Sequence, residues 1–154
     1  MSKQVEIKKS KQEDIMPIAH RMREADVREI WASHRTTPYK ALLNGIKAEG
    51  SCWTIFGDGT PEAMIGIVRM SLLSNKGYAW MLGTDVLTED KRLFMRLTKE
   101  LFDDVVEGYN YLENHVSTEN RLSLRWIQAM GFTVEDKIIK RNGVPFKKFF
   151  MEIK

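Results

Sequence analysis

Two dipeptides constrain this chain more than any other feature. Asp58-Gly59 stands between the apolar runs Cys52–Phe56 and Met64–Met70, and Asn142-Gly143 stands between residues 134–140 and 145–153. A two-residue hairpin loop needs positive φ at its central positions, which Asn, Asp and Gly adopt at least cost. Each dipeptide therefore predicts a pair of adjacent antiparallel strands, one pair mid-chain and one at the end. Alternating or β-rich runs predict further short strands at residues 5–9, Tyr78–Leu82 and Tyr111–Val116.

Helical signals fall between these strands. Ser10 with Glu13 reads as a capping box ahead of a helix from about Lys11 to Met22, interrupted near Pro17, which lacks an amide donor. Residues 23–34 fit either a helix or a loop. Thr37-Pro38 opens a helix to about Ala48, ended by Gly50. Thr88 opens the longest helix, whose apolar stripe is Leu93, Phe94, Leu97, Leu101, Phe102, Val105 and Val106. A last helix, Glu119–Met130, is closed by Gly131. The order β-α-α-β-β-β-α-β-α-β-β predicts a single α/β (α+β) domain over residues 1–154. Its sheet is mixed and mostly antiparallel, with helices on both faces.

Composition narrows the class. Apolar residues make up 43% and charged residues 29% of the chain, which is incompatible with disorder. No apolar run reaches the roughly 18 residues a spanning helix needs, and the first residues carry no apolar signal-peptide core. Cys52, the single cysteine, cannot form an internal disulfide and is expected to be a small buried filler in a reducing compartment. The net charge of +3 is local. Lys137, Lys140, Arg141, Lys147, Lys148 and Lys154 face only Glu152 across the final hairpin. No His, Cys, Asp and Glu spacing fits a metal site.

One segment carries a family likeness. Asn120-Arg121-Leu122-Ser123-Leu124-Arg125-Trp126-Ile127-Gln128-Ala129-Met130-Gly131-Phe132 resembles the motif Asn-x-x-Ala-x-x-Leu-Tyr-x-x-x-Gly-Phe of the GNAT acyl-CoA N-acyltransferases, in register throughout. A longer set of motifs resembles a phage and prophage family with this fold that includes an internal virion protein of short-tailed phages. It comprises Trp80 to Asp85, Asn114 with Val116, Asn120, Ser123 with Arg125 and Trp126, Gly131-Phe132, and Phe146 with Phe149. The stretch from Met22 to Ser33 belongs to it as well, so the likeness spans about residues 20–151.

The GNAT resemblance implies acetyl-CoA as cofactor and a site between two separated strands. By that likeness, Gly83, Thr84, Lys91, Arg92, Asn120 and Ser123 are the cofactor-binding candidates. Asp85, His115 and Glu113 are the candidates for moving a proton. On the strand around them, Glu113 and His115 share one face and Asn114 and Val116 the other. The sequence departs from the family in two places. The stretch from Asp85 to Phe94, where a glycine-rich phosphate cradle belongs, has no glycine and carries Glu89 and Asp90. Ile127 stands where many family members have a tyrosine that protonates the leaving thiolate.

The expectation is therefore a GNAT-fold phage protein without acetyl transfer. It would be a minor virion, assembly or host-delivered component, located in the virion or the bacterial host cytoplasm, with other phage or host proteins as partners. The alternative is a divergent acetyl-CoA-dependent N-acetyltransferase. A nucleic-acid-binding module using the basic C-terminal hairpin, which mixes lysines with Phe149 and Phe150, ranks third.

Overall fold

A computed structural model describes residues 4–153; the side chains of Leu87 and Thr88 are outside the description, as is Lys154, one of the hairpin cations. The chain runs β1 (Val5–Lys9), α1 (Ile15–His20), α2 (Glu24–His34), α3 (Pro38–Lys47), β2 (Gly50–Gly57), β3 (Thr60–Arg69) and β4 (Lys76–Gly83). It continues with α4 (Lys91–Val105), β5 (Tyr111–Ser117), α5 (Arg121–Ala129), β6 (Thr133–Arg141) and β7 (Val144–Glu152). Among the described residues the strands form one seven-stranded sheet in the order β1-β2-β3-β4-β5-β7-β6. Every neighbouring pair is antiparallel except β4 and β5. This is the mixed, mostly antiparallel sheet that the sequence predicts.

Both hairpin turns form as their residues require. Asp58 and Gly59 take φ of 50° and 82°, and Asn142 and Gly143 take 52° and 79°. The second turn is also a docking point. Asn142 Nδ2 donates to the Ala32 carbonyl at 2.6 Å and Arg35 donates to Asn142 Oδ1, which ties the β6–β7 turn to the end of α2.

The start of the chain differs from expectation. Residues 11–22 are not one helix but a 3-10 turn, Gln12–Asp14, followed by α1. Pro17 sits in the first turn of α1, where a missing amide costs nothing. The Ser10–Glu13 capping box does not form. Ser10 Oγ instead lies 2.8 Å from Thr54 Oγ1, and Lys11 N donates to buried Asp14 at 2.9 Å. Asp14 also accepts from Thr54 Oγ1, so a tertiary partner on β2 outcompeted the local cap. Residues 24–34, ambiguous by pattern, are helical. Thr88 does not open α4: Asp85–Thr88 is a separate 3-10 turn, and Asp90 caps α4 by accepting from Leu93 N at 3.1 Å.

Two apolar layers hold the sheet. On one face α4 and α5 bury Phe94, Phe102, Trp126 and Ile127 against Ile65, Ile67, Leu112 and Phe149. Trp126 meets Phe102 edge-on at 6.2 Å, and its Nε1 donates to Thr98 Oγ1 at 3.0 Å. On the other face α1, α2 and α3 bury Ile15, Ile18, Ile30 and Leu42 against Met64 and Leu82.

The second layer depends on a close approach at Gly66. A Cβ there would lie 2.6 Å from the Ser51 carbonyl oxygen and 2.8 Å from the indole of Trp80. Gly66→Ala should therefore cost about 1–3 kcal/mol through strand displacement, read as a lowered urea midpoint at unchanged m-value.

Candidate functional site

The site begins with a fault in the sheet. β4 and β5 run parallel but pair only at Lys76↔Tyr111, Gly77↔Leu112 and Tyr78↔Glu113. Beyond these they diverge, while β4 continues to Gly83 and β5 to Ser117. Backbone groups on the facing edges lose their ladder partners and must find others. The register shows which groups these are. Thr84 N donates to Glu62 O, so even-numbered residues of β4 bond to β3 and odd-numbered ones face the gap.

Side chains replace the missing rungs. At the near end Asn114 Nδ2 donates to the Ala79 carbonyl at 2.9 Å, and Asn114 Oδ1 accepts from His115 N at 2.9 Å. At the far end α2 supplies the partners. Asp26 accepts from Gly83 N at 3.0 Å, Glu29 accepts from Ser117 N at 2.9 Å, and Arg23 N donates to the Gly83 carbonyl at 2.8 Å. Met81, between the two ends, presents its N–H and C=O to the gap.

Asn120 joins the two carboxylates. Its Nδ2 donates to Asp26 at 2.9 Å and to Glu29 at 2.6 Å. Its Oδ1 accepts from Arg23 at 3.1 Å and from Ser123 N at 3.4 Å, which caps α5. Arg23 also donates to Asp26 at 3.1 Å. Arg23, Asp26 and Asn120 are all buried. One guanidinium thus serves two carboxylates, buried Asp26 and half-buried Glu29, and the cluster resists carrying both negative charges. Burial pushes the Glu29 carboxyl up to about 7; Ser117 N, Asn120 and Arg23 oppose the rise, and the charge of Asp26 adds to it. Burial also raises the Asp26 carboxyl, against Arg23, Asn120 and Gly83 N.

A cleft of about 1050 Å³ opens beside this network. Its floor is the splayed strands, with Trp80, Asn114 and His115. Its walls are the C-terminal end of α2, the face of α3 and, through the gap, Ser123, Trp126 and Ile127 of α5. Among the described residues no group of three or more His, Cys, Asp and Glu could hold a metal ion, and no helix is long and apolar enough to cross a membrane.

The residues singled out in the sequence lie in three places. Glu113, His115 and Ser123 line the cleft. Cross-strand partners put Glu113 and His115 on the α1–α3 face and Asn114 and Val116 on the α4–α5 face. Partial burial holds the His115 imidazole below its usual pKa; Arg141 and Lys148 lower it further, while Glu113 and Glu135 oppose them. Gly83, Thr84 and Asn120 are buried in the bonded network. Thr84 Oγ1 donates to Glu62 at 3.1 Å, and Glu62 pairs with Arg21 at 2.7 Å. Asp85 is exposed in the 3-10 turn and does not line the cleft, and Lys91 and Arg92 are exposed on the first turn of α4. Cys52 is partly buried, its thiol pKa raised by burial and its Sγ 3.2 Å from Ser10 Oγ.

Sequence reasoning missed Arg23, Asp26 and Glu29 as site residues. The available signal was three charged residues at helical spacing on one face of residues 23–34, a stretch whose structure the pattern left open.

This network makes two measurable demands. Asn120→Ala strips one partner from buried Asp26, from half-buried Glu29 and from Arg23, and should lower stability by about 2–4 kcal/mol in urea unfolding. Glu29 sets a pH dependence. Its folded pKa of about 7 lies above the ordinary 4.5, so its contribution is fully present below pH 4.5 and is lost as pH rises to about 7. The expected loss is about 3 kcal/mol. Glu29→Gln removes the titration: wild type should lose stability relative to this variant between pH 4.5 and 7, and the difference should then stay level.

Comparison with known proteins agrees with this geometry. No family model and no curated protein sequence matches the chain. Solved structures do match. The ribosomal-protein-S18-alanine N-acetyltransferase of Escherichia coli is 14% identical with a TM-score of 0.68, over 98% of this chain and 95% of that one. A GNAT-family acetyltransferase of Streptococcus pneumoniae is 12% identical with a TM-score of 0.63, over 97% and 100%. A Bacillus subtilis acetyltransferase solved in complex with CoA is 11% identical with a TM-score of 0.62, over 99% and 100%. At such identities the likeness is one of fold, and the fold of this chain is that of the GNAT acetyltransferases.

Proposed function

We propose that this chain is a phage protein of GNAT fold that works without acetyl transfer, as a minor virion or assembly component or as one delivered into the host. The phage side of this reading rests on the sequence likeness, which runs through the structural network itself: Asp26, Glu29, Gly83, Thr84, Asn114 and Asn120 all belong to the shared motifs.

The absence of transfer is supported by one observation above all: amides on the path from β4 into α4 that could serve an anion are taken up by the protein's own oxygens. Asp90 occupies Leu93 N at the start of α4, Thr84 Oγ1 accepts from Val86 N, and Asp26 holds Gly83 N. A helix N-terminus attracts anions through open amides and its dipole. Here an acid of the chain fills that place, and Glu89 adds a second negative charge beside it. On this reading a capped amide and two acids at the start of α4 fit the phosphates of coenzyme A poorly. Ile127, lining the cleft, has no proton to give a leaving thiolate.

A second reading, a divergent acetyl-CoA-dependent N-acetyltransferase, is favoured by two features. Met81 turns its backbone groups to the gap, and Glu29 ionises near neutral pH beside the cleft. In that reading Glu29, rather than exposed Asp85, joins His115 and Glu113 as a proton acceptor.

A thermal-shift titration separates the two. With acetyl-CoA or free coenzyme A at about 1 mM, the first reading expects no change in Tm. A ligand at about 100 times its Kd would add about 2.7 kcal/mol, a rise of several degrees for a chain of this size. Such a rise would move the conclusion to the second reading.

A further inference from the structure

The α1–α3 face of the sheet is only half covered. α1 and α3 lie over β2, β3 and the end of β4, and the end of α2 reaches the β6–β7 turn. Among the described residues, the remaining part, built from the starts of β4 and β5 and the end of β7, carries no helix. Cross-strand register puts Tyr78, Glu113 and Phe150 in one row across three strands, so Tyr78 and Phe150 stand about 10 Å apart. Tyr111, on the same face, stacks on Phe150 with ring centroids 6.5 Å apart, and Lys76 Nζ lies 5.6 Å from the Tyr111 ring. Tyr78 is 43% exposed.

Charge completes the pattern. Lys76, Lys148 and Arg141 stand on this face, and Arg35 and Lys40 rim the adjoining cleft. Of the acids, Glu113 is 3.8 Å from Lys148, Glu135 stands close enough to act on both His115 and Lys148, Glu152 lies at the far end of β7, and Glu29 lines the cleft while accepting from Ser117 N and Asn120. Cations therefore outnumber acids around an aromatic floor. Aromatic rings on an open sheet face, flanked by cations, offer the two things a single strand needs: surfaces for base stacking and counter-charge for phosphates.

We propose that this open sheet face, continuous with the cleft, binds single-stranded nucleic acid. Bases stack on Tyr78 and on the Tyr111–Phe150 pair, and phosphates follow Lys76, Lys148, Arg141, Arg35 and Lys40. An acidic peptide would find the same charge but would leave the ring platform unused. The site lies on the α1–α3 side and does not involve the exposed first turn of α4, so it stands whether or not acyl-CoA binds.

Fluorescence anisotropy with a labelled oligothymidylate of about twelve nucleotides tests this on the full chain. Binding should weaken with salt, with a log–log slope of about −2 to −3.5 if three to five phosphates are neutralised. Tyr78→Ala, at an exposed position, should weaken binding about 5-fold or more, as loss of one stacked base does. Lys40→Glu with Lys76→Glu should weaken it about 10-fold or more and flatten the salt slope. Arg96→Glu with Arg125→Glu, a charge reversal on α4 and α5 across the sheet, should leave it unchanged; circular-dichroism melts confirm that each variant folds. The proposal is overturned by any of three results: no binding at low salt, equal weakening by the α4–α5 control, or displacement of the oligonucleotide by polyglutamate at equal charge.

Discussion

The structure turns on a gap between two strands that cannot be left open. β4 and β5 part after three paired positions, and each edge then presents amides and carbonyls with no ladder. An unpaired buried backbone group costs about 1–3 kcal/mol, comparable to a lost hydrogen bond. The chain meets this with side chains. Asn114 acts as a rung at the near end, and Asp26, Glu29 and the backbone of Arg23 act as rungs at the far end. Asn120, at the head of α5, ties the far-end groups into one unit, so α2, β4, β5 and α5 are held at a single point.

That solution has an electrostatic consequence. Two carboxylates are useful here because each accepts from the backbone of a different strand. Bringing them together in a buried place with one guanidinium raises both of their pKa values. The same carboxylates occupy the far end of the gap, and Asp90 caps Leu93 N at the head of α4. The chain's own carboxylates thus meet backbone amides at one end of the gap and at the head of α4, while the opposite end of the gap adjoins an aromatic, cationic sheet face. Fold and chemistry are separable in this way because the scaffold depends on buried packing and the chemistry on a few groups at one rim.

Much of the fold was legible from local signals. Asp58-Gly59 and Asn142-Gly143 encode hairpins because Asp, Asn and Gly adopt positive φ at least cost. Thr37-Pro38 encodes a helix start because the cap and the fixed φ act within one turn. Failures came where another partner, distant or near, displaced the expected one. Ser10 left its capping box for Thr54, more than forty residues away. Thr88 looked like the head of the longest helix, but Asp90 took that place. His115, Glu113 and Ser123 could be placed near the cleft because a strand's alternation and a helix motif fix their directions. Asp85 could not, because a 3-10 turn follows the strand and breaks the alternation that would have placed it.

By itself, then, the sequence determined the strands, most helices, the mixed sheet and the missing glycine cradle, all of which are decided within a few residues by backbone preference and apolar period. Only the tertiary structure decided that α2 crosses the end of the gap, that Asp26 and Glu29 serve as its rungs, and that half a sheet face is left bare. Those outcomes join residues some ninety positions apart, such as Glu29 and Asn120. They follow from which unpaired backbone groups the separated strands leave behind, and no local pattern encodes that.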